Sequence, residues 1–483
     1  MKRIVIVGGG ISGLTVAYRL HELSCEKEIP IDMTLLEGRS RLGGVIETQS
    51  KDGFLLEYGP DALMTDRPWS INLCKRLGIE SELIGMQKEA DHSYIVCKGK
   101  MCRIPTGFYL LAPSNIKALV QSHFLSSAGK LRLAAELFIP KRKSKDDESV
   151  GSFIRRRFGR EVLERLGEPL LAGIYTAHPD QLSMQAVLPH FREMESKYGS
   201  VTRGLWALRE KHGMKDCTEE NSRKMFVTFK DGMRRLIHAL IENMPDVSFA
   251  TSTPVEKIAF DHMRILEVTI QGGAVIEADA VCLALPAMRS SEIVNSFSPR
   301  LAEKLADIKY ESVVTVNVAY DELAFPKRLD GAGFVIPSVE NRRLVGSIFS
   351  SIKFDGRAPK GAVLIRTFLG NAIQRNNVDL DDQEMRQLVT EELRDILGVT
   401  REPLFIDIQR YEMSIPQYGL NYQKLLKAIE SERAECPGLF LTGNAFAGVG
   451  LTSCIHQAEL IAEKMFLQFC ETTENHVQTV GQV

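Results

Sequence analysis

The residues best placed to do chemistry in this 483-residue chain are glycines. Gly8, Gly9, Gly10, Ile11, Ser12 and Gly13 follow the β-branched run Ile4–Val7 without a gap, and Leu14–Leu20 continues with helical spacing. This is G-x-G-x-x-G in the strand–turn–helix setting that a dinucleotide-binding turn requires. Gly8 permits the tight turn, Gly10 lets the backbone approach a pyrophosphate, and Gly13 lets the helix pack on the strand. The amides at the helix N-terminus then face the phosphates. A second strand, Asp32–Leu36, ends in Glu37, 24 residues after Gly13. A carboxylate there accepts hydrogen bonds from a ribose diol and repels a 2′-phosphate. The pattern predicts an adenine dinucleotide as cofactor.

Little else could react. The nine cysteines are scattered and form no C-x-x-C pair, which speaks against a zinc site or a disulfide framework and for thiols in a reducing compartment. Of the ten histidines, His178 and His456 stand near motifs, where structural or solvated roles are the expectation. No metal is expected. The redox work falls to the cofactor, and no catalytic side chain is assigned.

Stepping along the chain, a glycine-rich turn at Gly443–Ile455 follows the strand Gly438–Thr442 and opens a closing helix. Its Gly448, Val449 and Gly450 form a third cofactor signal, amides that approach the pyrimidine end of a flavin ring. The spacing between these signals makes the domains interleave. Residues 1–90, 226–300 and 433–470 are expected to build the cofactor domain, 91–225 a mainly helical block with part of the substrate cavity, and 301–432 a mixed-sheet substrate domain. Residues 471–483 read as a disordered tail.

Composition sets outer bounds. With 44% hydrophobic and 25% charged residues the chain is an average globular protein, and its length allows about two to four folding units. Sixty Lys and Arg against sixty-two Asp and Glu give a net charge of −2, which excludes a globally basic nucleic-acid binder. No apolar run reaches the ~18 residues of a membrane span. The expectation is a cytoplasmic protein starting near Met1, with membrane contact at most peripheral, through Phe108-Tyr109-Leu110-Leu111 and the basic run after Pro140.

Beyond the glycine turn the chain resembles known families. Glu37-Gly38-Arg39-Ser40-Arg41-Leu42-Gly43-Gly44 followed by Val45 is similar to the second fingerprint of the flavin amine oxidase and phytoene desaturase superfamily. The resemblance implies FAD, with Gly38, Arg41, Gly44 and Val45 at the cofactor and Arg41 offering a guanidinium to phosphate. The fold class is thus α/β and α+β, a Rossmann-like FAD-binding domain interleaved with an antiparallel-sheet substrate domain and a helical block.

Nearly the whole chain resembles the oxygen-dependent porphyrinogen oxidases of haem biosynthesis. Glu57-Tyr58-Gly59-Pro60-Asp61 resembles their E-x-G-P-D/E element, and Glu168–Tyr175 with Leu182-Ser183-Met184 their E-P-L-x-x-G-x-Y…L-S-M block. Met413–Tyr418 and Gly448–Ile455 resemble two further elements. The resemblance implies Gly59, Pro60, Asp61, Ala62, Val255 and Tyr411 at a noncovalent FAD. It implies a substrate cavity bordered by Gly173, with Val335, Ile348 and Phe368 sandwiching the macrocycle. One departure matters. Plant and animal protoporphyrinogen oxidases carry a propionate-binding Arg where Ser93 stands here, whereas Arg67 matches a basic residue of the Gram-positive-type enzymes. Those are similar to coproporphyrinogen III oxidases, so coproporphyrinogen III is the preferred substrate and protoporphyrinogen IX the alternative. O2 as acceptor, a monomer or homodimer, and hand-over to a downstream ferrochelatase are further implications.

Two other readings compete. A flavin amine oxidase tends to place aromatic residues at the flavin from its C-terminal part, yet Trp69 and Trp206 both lie in the first half. A non-enzymatic binding protein similar to Rab GDP-dissociation inhibitors is opposed by intact Gly8, Gly10, Gly13, Glu37 and Arg41.

Overall fold

The computed structural model describes residues 1–109, 111–113, 115–211, 225–260, 266–370 and 377–480. Leu110 and Cys217 therefore lie outside the described residues. In chain order, the elements that build the site begin with β1 (Lys2–Val7), α1 (Ile11–Lys27), β2 (Ile31–Leu36), β3 (Thr48–Lys51) and β4 (Phe54–Glu57). Next come β5 (Tyr94–Cys97), β6 (Lys100–Arg103), α2 (Val150–Arg157), α3 (Glu168–Tyr175) and α4 (Pro189–Tyr198). They are followed by β7 (Ser248–Ala250), β8 (Ala280–Leu283), β9 (Tyr310–Asp321), β10 (Gly333–Val335), β11 (Gly346–Ile348) and β12 (Ala362–Leu369). The last are α5 (Asp382–Leu397), β13 (Phe405–Pro416), β14 (Leu439–Leu441) and α6 (Leu451–Val480).

Two sheets organise the chain. The first is parallel throughout, in the order β7-β2-β1-β8-β14. Its strands are short apolar runs covered on both faces, which is why Ile4, Val5, Ile6 and Val7 are all buried. Helices α1 and α6 pack together on one face through Leu14, Ala17, Ile455 and Ala458.

The second sheet has seven strands in the order β13-β9-β12-β11-β10-β5-β6, antiparallel except where β10 meets β5. Period-2 alternation gives it two different faces. Val314, Val316, Val318 and Ile365 point one way and pack on Met385, Leu388 and Val389 of α5. That helix starts on a capping box between Asp381 and Glu384. The other face carries Thr315, Asn317, Arg366 and Phe368, and it faces the site.

Two expectations need correcting. The first part of the stretch read as a helical block supplies β5 and β6, which extend the substrate sheet. The local reason is a two-residue turn at Lys98 and Gly99, both at positive φ (53° and 71°), which suits a tight hairpin. At the other end, α6 continues to Val480, through most of the stretch read as a disordered tail. Once a helix is nucleated by packing, each added turn costs little.

The helical block is fastened by a fully buried ion pair. Arg157 of α2 bonds Glu136 through Nε at 2.9 Å, and Glu136 also accepts from Ser200 Oγ at 2.6 Å and the Val201 amide at 3.0 Å. Among the described residues no helix is long and apolar enough to cross a membrane.

Candidate functional site

The glycine turn is tight for steric reasons. Gly8 sits at φ +110°, and a Cβ there would lie 2.5 Å from the Ala284 carbonyl oxygen. A Cβ on Gly13 would lie 1.9 Å from the Gly8 oxygen, so α1 can approach β1 only with glycine at that place. A Cβ on Gly9 would strike Leu42 Cδ2 at 2.4 Å. Gly10 differs. It is the extended N-cap of α1 (φ −76°, ψ −179°) with no side-chain cap, and its nearest neighbour, Gly44 Cα, would lie 3.9 Å from an added Cβ. The first amides of α1, at Ile11 and Ser12, are thus uncapped by any side chain, the arrangement a pyrophosphate needs.

Glu37 sits at the end of β2 with both carboxylate oxygens engaged. Oε2 accepts from the Gly9 amide at 2.7 Å and Oε1 from the Arg39 amide at 2.8 Å. Each oxygen keeps a lone pair for a ribose hydroxyl. Gly38 lies against Pro254, and Val255 next to it turns its side chain into the core. Arg41 is turned onto its own loop. It pairs with Glu47 at 2.5 Å and donates to the Gly44 and Ile46 carbonyls at 3.0 and 3.3 Å. Its guanidinium therefore closes the loop that carries Gly44 and the exposed Val45.

The Glu57–Ala62 loop joins the two sheets. A Cβ on Gly59 would lie 1.8 Å from the Val45 carbonyl oxygen, so the loop is pressed against the glycine fingerprint. On its other side the second sheet grips its backbone. Thr315 Oγ1 and Arg366 Nη2 donate to the Tyr58 carbonyl at 3.2 and 3.1 Å, and Asn317 Nδ2 donates to the Glu57 carbonyl at 3.2 Å. Glu57 itself is buried and accepts from Thr48 Oγ1 and the Met233 amide, both at 2.8 Å. Burial pushes its pKa up to about 7. Asp61 pairs with Lys353 at 2.9 Å. Burial alone would raise the Asp61 carboxyl, but Lys353 and Arg366 outweigh it and hold it below the ordinary value. Pro60 and Ala62 are half-buried beside them.

The register of the second sheet brings the proposed substrate wall together. Phe368 is paired with Gly346, and Gly346 with Val335, in one row. Arg366 is paired with Asn317 and Ile348 in the next row. Val335, Ile348 and Phe368 thus share one face, and Tyr411, paired with Val313, lies on that face too. Helix α3 packs on β10 and carries Gly173, where an added Cβ would meet nothing within 4 Å. Glu168, at the start of α3, accepts from Ser338 Oγ at 2.8 Å and so ties the helix to the loop after β10.

Arg67 belongs to a different wall. Its Nη2 lies 3.1 Å from His190 Nε2 of α4, and its guanidinium stands over Trp69, which stacks on His456 of α6 at 3.8 Å. Gly448, Val449 and Gly450 lie at the entry to α6, half-buried or exposed. Cys454 is buried, donates to the Gly448 carbonyl at 3.4 Å, and has its pKa pushed up to about 11 by burial. Sequence reasoning missed Lys353, Arg366, His190 and Trp69. Only Arg366 leaves a legible signal, a lone cation within the apolar run of β12. Among the described residues no cluster of His, Cys, Asp or Glu could hold a metal ion.

Comparison with known proteins places this geometry. The model of the flavin containing amine oxidoreductase family matches residues 11–465. The coproporphyrinogen III oxidase of Bacillus subtilis (strain 168) is 30% identical over 459 residues, covering 95% of this chain and 96% of its own. The mitochondrial protoporphyrinogen oxidase of Nicotiana tabacum is 28% identical over 496 residues, covering 95% and 94%. A crystal structure from Exiguobacterium sp. 255-15, provisionally named a protoporphyrinogen oxidase, matches with a TM-score of 0.84 at 29% identity, over 97% of this chain and 99% of that one.

Proposed function

This chain belongs to the flavin containing amine oxidoreductase family, and from that premise we propose that it is an FAD-dependent oxidase that converts a porphyrinogen to its porphyrin, with coproporphyrinogen III preferred. The observation that carries the reading is that Val335, Ile348 and Phe368 share one face of the second sheet, the face whose Thr315, Asn317 and Arg366 grip the loop pressed against the glycine fingerprint. A large apolar macrocycle that loses hydrogen to a cofactor and flattens as it is oxidised needs such a wall to position it.

The residues present fit FAD. The uncapped start of α1 suits its pyrophosphate, Glu37 its ribose, and the Gly59–Ala62 and Gly448–Gly450 segments its ring. Tyr411 carries a buried hydroxyl with no partner among the described residues, a group that invites a polar ligand. Bound FAD would supply the two-electron acceptor. The protein's share is to hold the macrocycle flat between the sheet wall and Gly173, to keep water out, and to anchor carboxylates at Arg67. The reaction removes six hydrogens per macrocycle while three O2 become three H2O2. The high pKa and inward burial of Cys454 support noncovalent attachment, because only a thiolate would attack the ring. The scattered cysteines support a cytoplasmic setting, and the product is of the class a ferrochelatase consumes.

The test offers coproporphyrinogen III and protoporphyrinogen IX in parallel, mixed without oxygen and then opened to air, with porphyrin fluorescence and H2O2 followed. Faster oxidation of coproporphyrinogen III is expected. Preference for protoporphyrinogen IX, which the apolar wall also accommodates, would reverse the substrate assignment, and inertness toward both would overturn the reading.

A further inference from the structure

Four ionisable side chains, Glu57, Lys353, Arg357 and Arg366, lie buried around the Glu57–Ala62 loop with the half-buried Asp61, and no step above uses them as charges. Buried charge is costly unless it is paired and fully hydrogen-bonded. Two of the three cations are held, one by a carboxylate and one by three hydrogen bonds. Lys353 holds Asp61 at 2.9 Å, and Arg357 donates to the Lys230 and Phe229 carbonyls and Thr228 Oγ1 at 3.0, 2.8 and 3.1 Å. Arg366 is held by less: it is 5% exposed, and among the described residues its only hydrogen bond runs from Nη2 to the Tyr58 carbonyl and its buried Nε has no partner. Opposite it on β9, Asn317 Oδ1 is also unpartnered.

Asp61 and Glu57 act on this guanidinium through the field, and its place is informative. The carbonyl it grips belongs to the peptide just before Gly59, and the guanidinium lies 5.1 Å from the Phe368 ring centroid. It stands between the proposed flavin segment and the proposed substrate wall, away from water that would screen it. FAD that takes up two electrons and one proton becomes an anion. We infer that Arg366 tunes the bound flavin, favouring the anionic reduced form and raising the reduction potential. This rests on the flavin reading above. Arg366 acts through the field and touches no reacting atom, so it is a tuning residue.

The experiment uses FAD-loaded protein and two readouts independent of turnover, the midpoint potential and the affinity for sulfite, which adds to oxidised flavin to give an anionic adduct. Arg366→Met is expected to weaken sulfite binding about tenfold or more, and a tenfold change in a two-electron couple corresponds to about 30 mV of lowered potential. Arg366→Lys keeps the charge while losing the guanidinium geometry, and is expected to stay within about threefold of the natural protein. Equal loss in both variants would show a clamp on Tyr58 and overturn the inference, as would no loss in Arg366→Met. If the Met variant does not fold, the natural protein still decides, because failure to bind sulfite together with a potential below that of free FAD overturns it. A protein that takes up no FAD overturns the flavin reading as well. One that takes up FAD and fails these tests overturns the role of Arg366 alone.

Discussion

Glu57 offers a quantitative test of how the loop between the sheets is held. Its carboxyl is buried, and two opposing effects act on it. Burial disfavours the charged form, while the Met233 amide, the Thr48 hydroxyl and nearby Arg357 favour it. Burial wins, and the pKa stands at about 7 against an ordinary 4.5. A group whose pKa is raised by folding contributes its full stability below the unfolded value and loses it as pH rises through the folded one. The window here is therefore about pH 4.5 to 7. At 1.36 kcal/mol for each tenfold in proton affinity, the loss across that window is about 3 kcal/mol. For cooperative unfolding of 483 residues, at about 2.1 cal/mol/K per residue, this amounts to about 3 °C in Tm.

Glu57→Gln removes the titration while keeping the size and one acceptor oxygen. Melting curves of both proteins between pH 4.5 and 8, with FAD saturating in every sample, isolate the effect as a difference. The variant is expected to gain on the natural protein by about 3 °C as pH rises to 7, and then to hold that gain. A constant difference would refute the reasoning. A gain for the natural protein with rising pH would refute it more instructively, showing that the neighbouring guanidiniums outweigh burial and keep Glu57 ionised.

Other perturbations probe separate parts of the molecule. Gly59→Ala places a Cβ 1.8 Å from the Val45 oxygen, so loss of bound flavin absorbance after gel filtration is expected, and full retention would deny the close approach. Gly173→Leu enters open space, and should leave Tm and FAD content unchanged while cutting kcat/KM for the porphyrinogen, since the proposed cavity lies there. Arg67→Ala should raise KM about tenfold and spare kcat, because it removes ground-state carboxylate binding; an unchanged KM would exclude that role. Glu136→Gln leaves buried Arg157 with the more distant Glu195 carboxylate, at 3.6 Å, and should cost about 2–3 kcal/mol in denaturant unfolding; a loss below 1 kcal/mol would mean the nearer pair is dispensable.

The parallel sheet and its glycine turn were legible because local rules dictate them. Gly13 is required by a clash with the Gly8 carbonyl inside the motif, Gly8 by its own φ of +110°, and Glu37 is held by the nearby amides of Gly9 and Arg39. The substrate wall is a matter of register. Val335, Ile348 and Phe368 come to one face only because β10, β11 and β12 pair as they do, and the resemblance to a family pointed to them where periodicity could not. Least legible were groups set by distant packing. Lys353 meets Asp61 across 292 residues, and Arg67 meets His190 across 123, separations at which no local pattern speaks. Arg41 shows the converse: the resemblance pointed it to phosphate, while here its guanidinium pairs with the near carboxylate of Glu47.

The interleaving of the chain bears on the chemistry. The parallel sheet draws its strands from residues 2–36, 248–283 and 439–441, and the antiparallel sheet draws from 94–103 and 310–416. The backbone thus crosses repeatedly between the two units, and the Glu57–Ala62 loop is gripped from both sides, by Val45 at Gly59 and by Thr315, Asn317 and Arg366 at the preceding carbonyls. A single linker would let such units swing about a hinge. Several crossings and a shared loop instead set the spacing between cradle and wall as part of the fold. For the oxidation proposed above, that spacing is what sets the distance between cofactor and substrate. Its cost stands in the same place, since Glu57, Lys353 and Arg366 are buried beside that loop and burying ionisable groups is expensive.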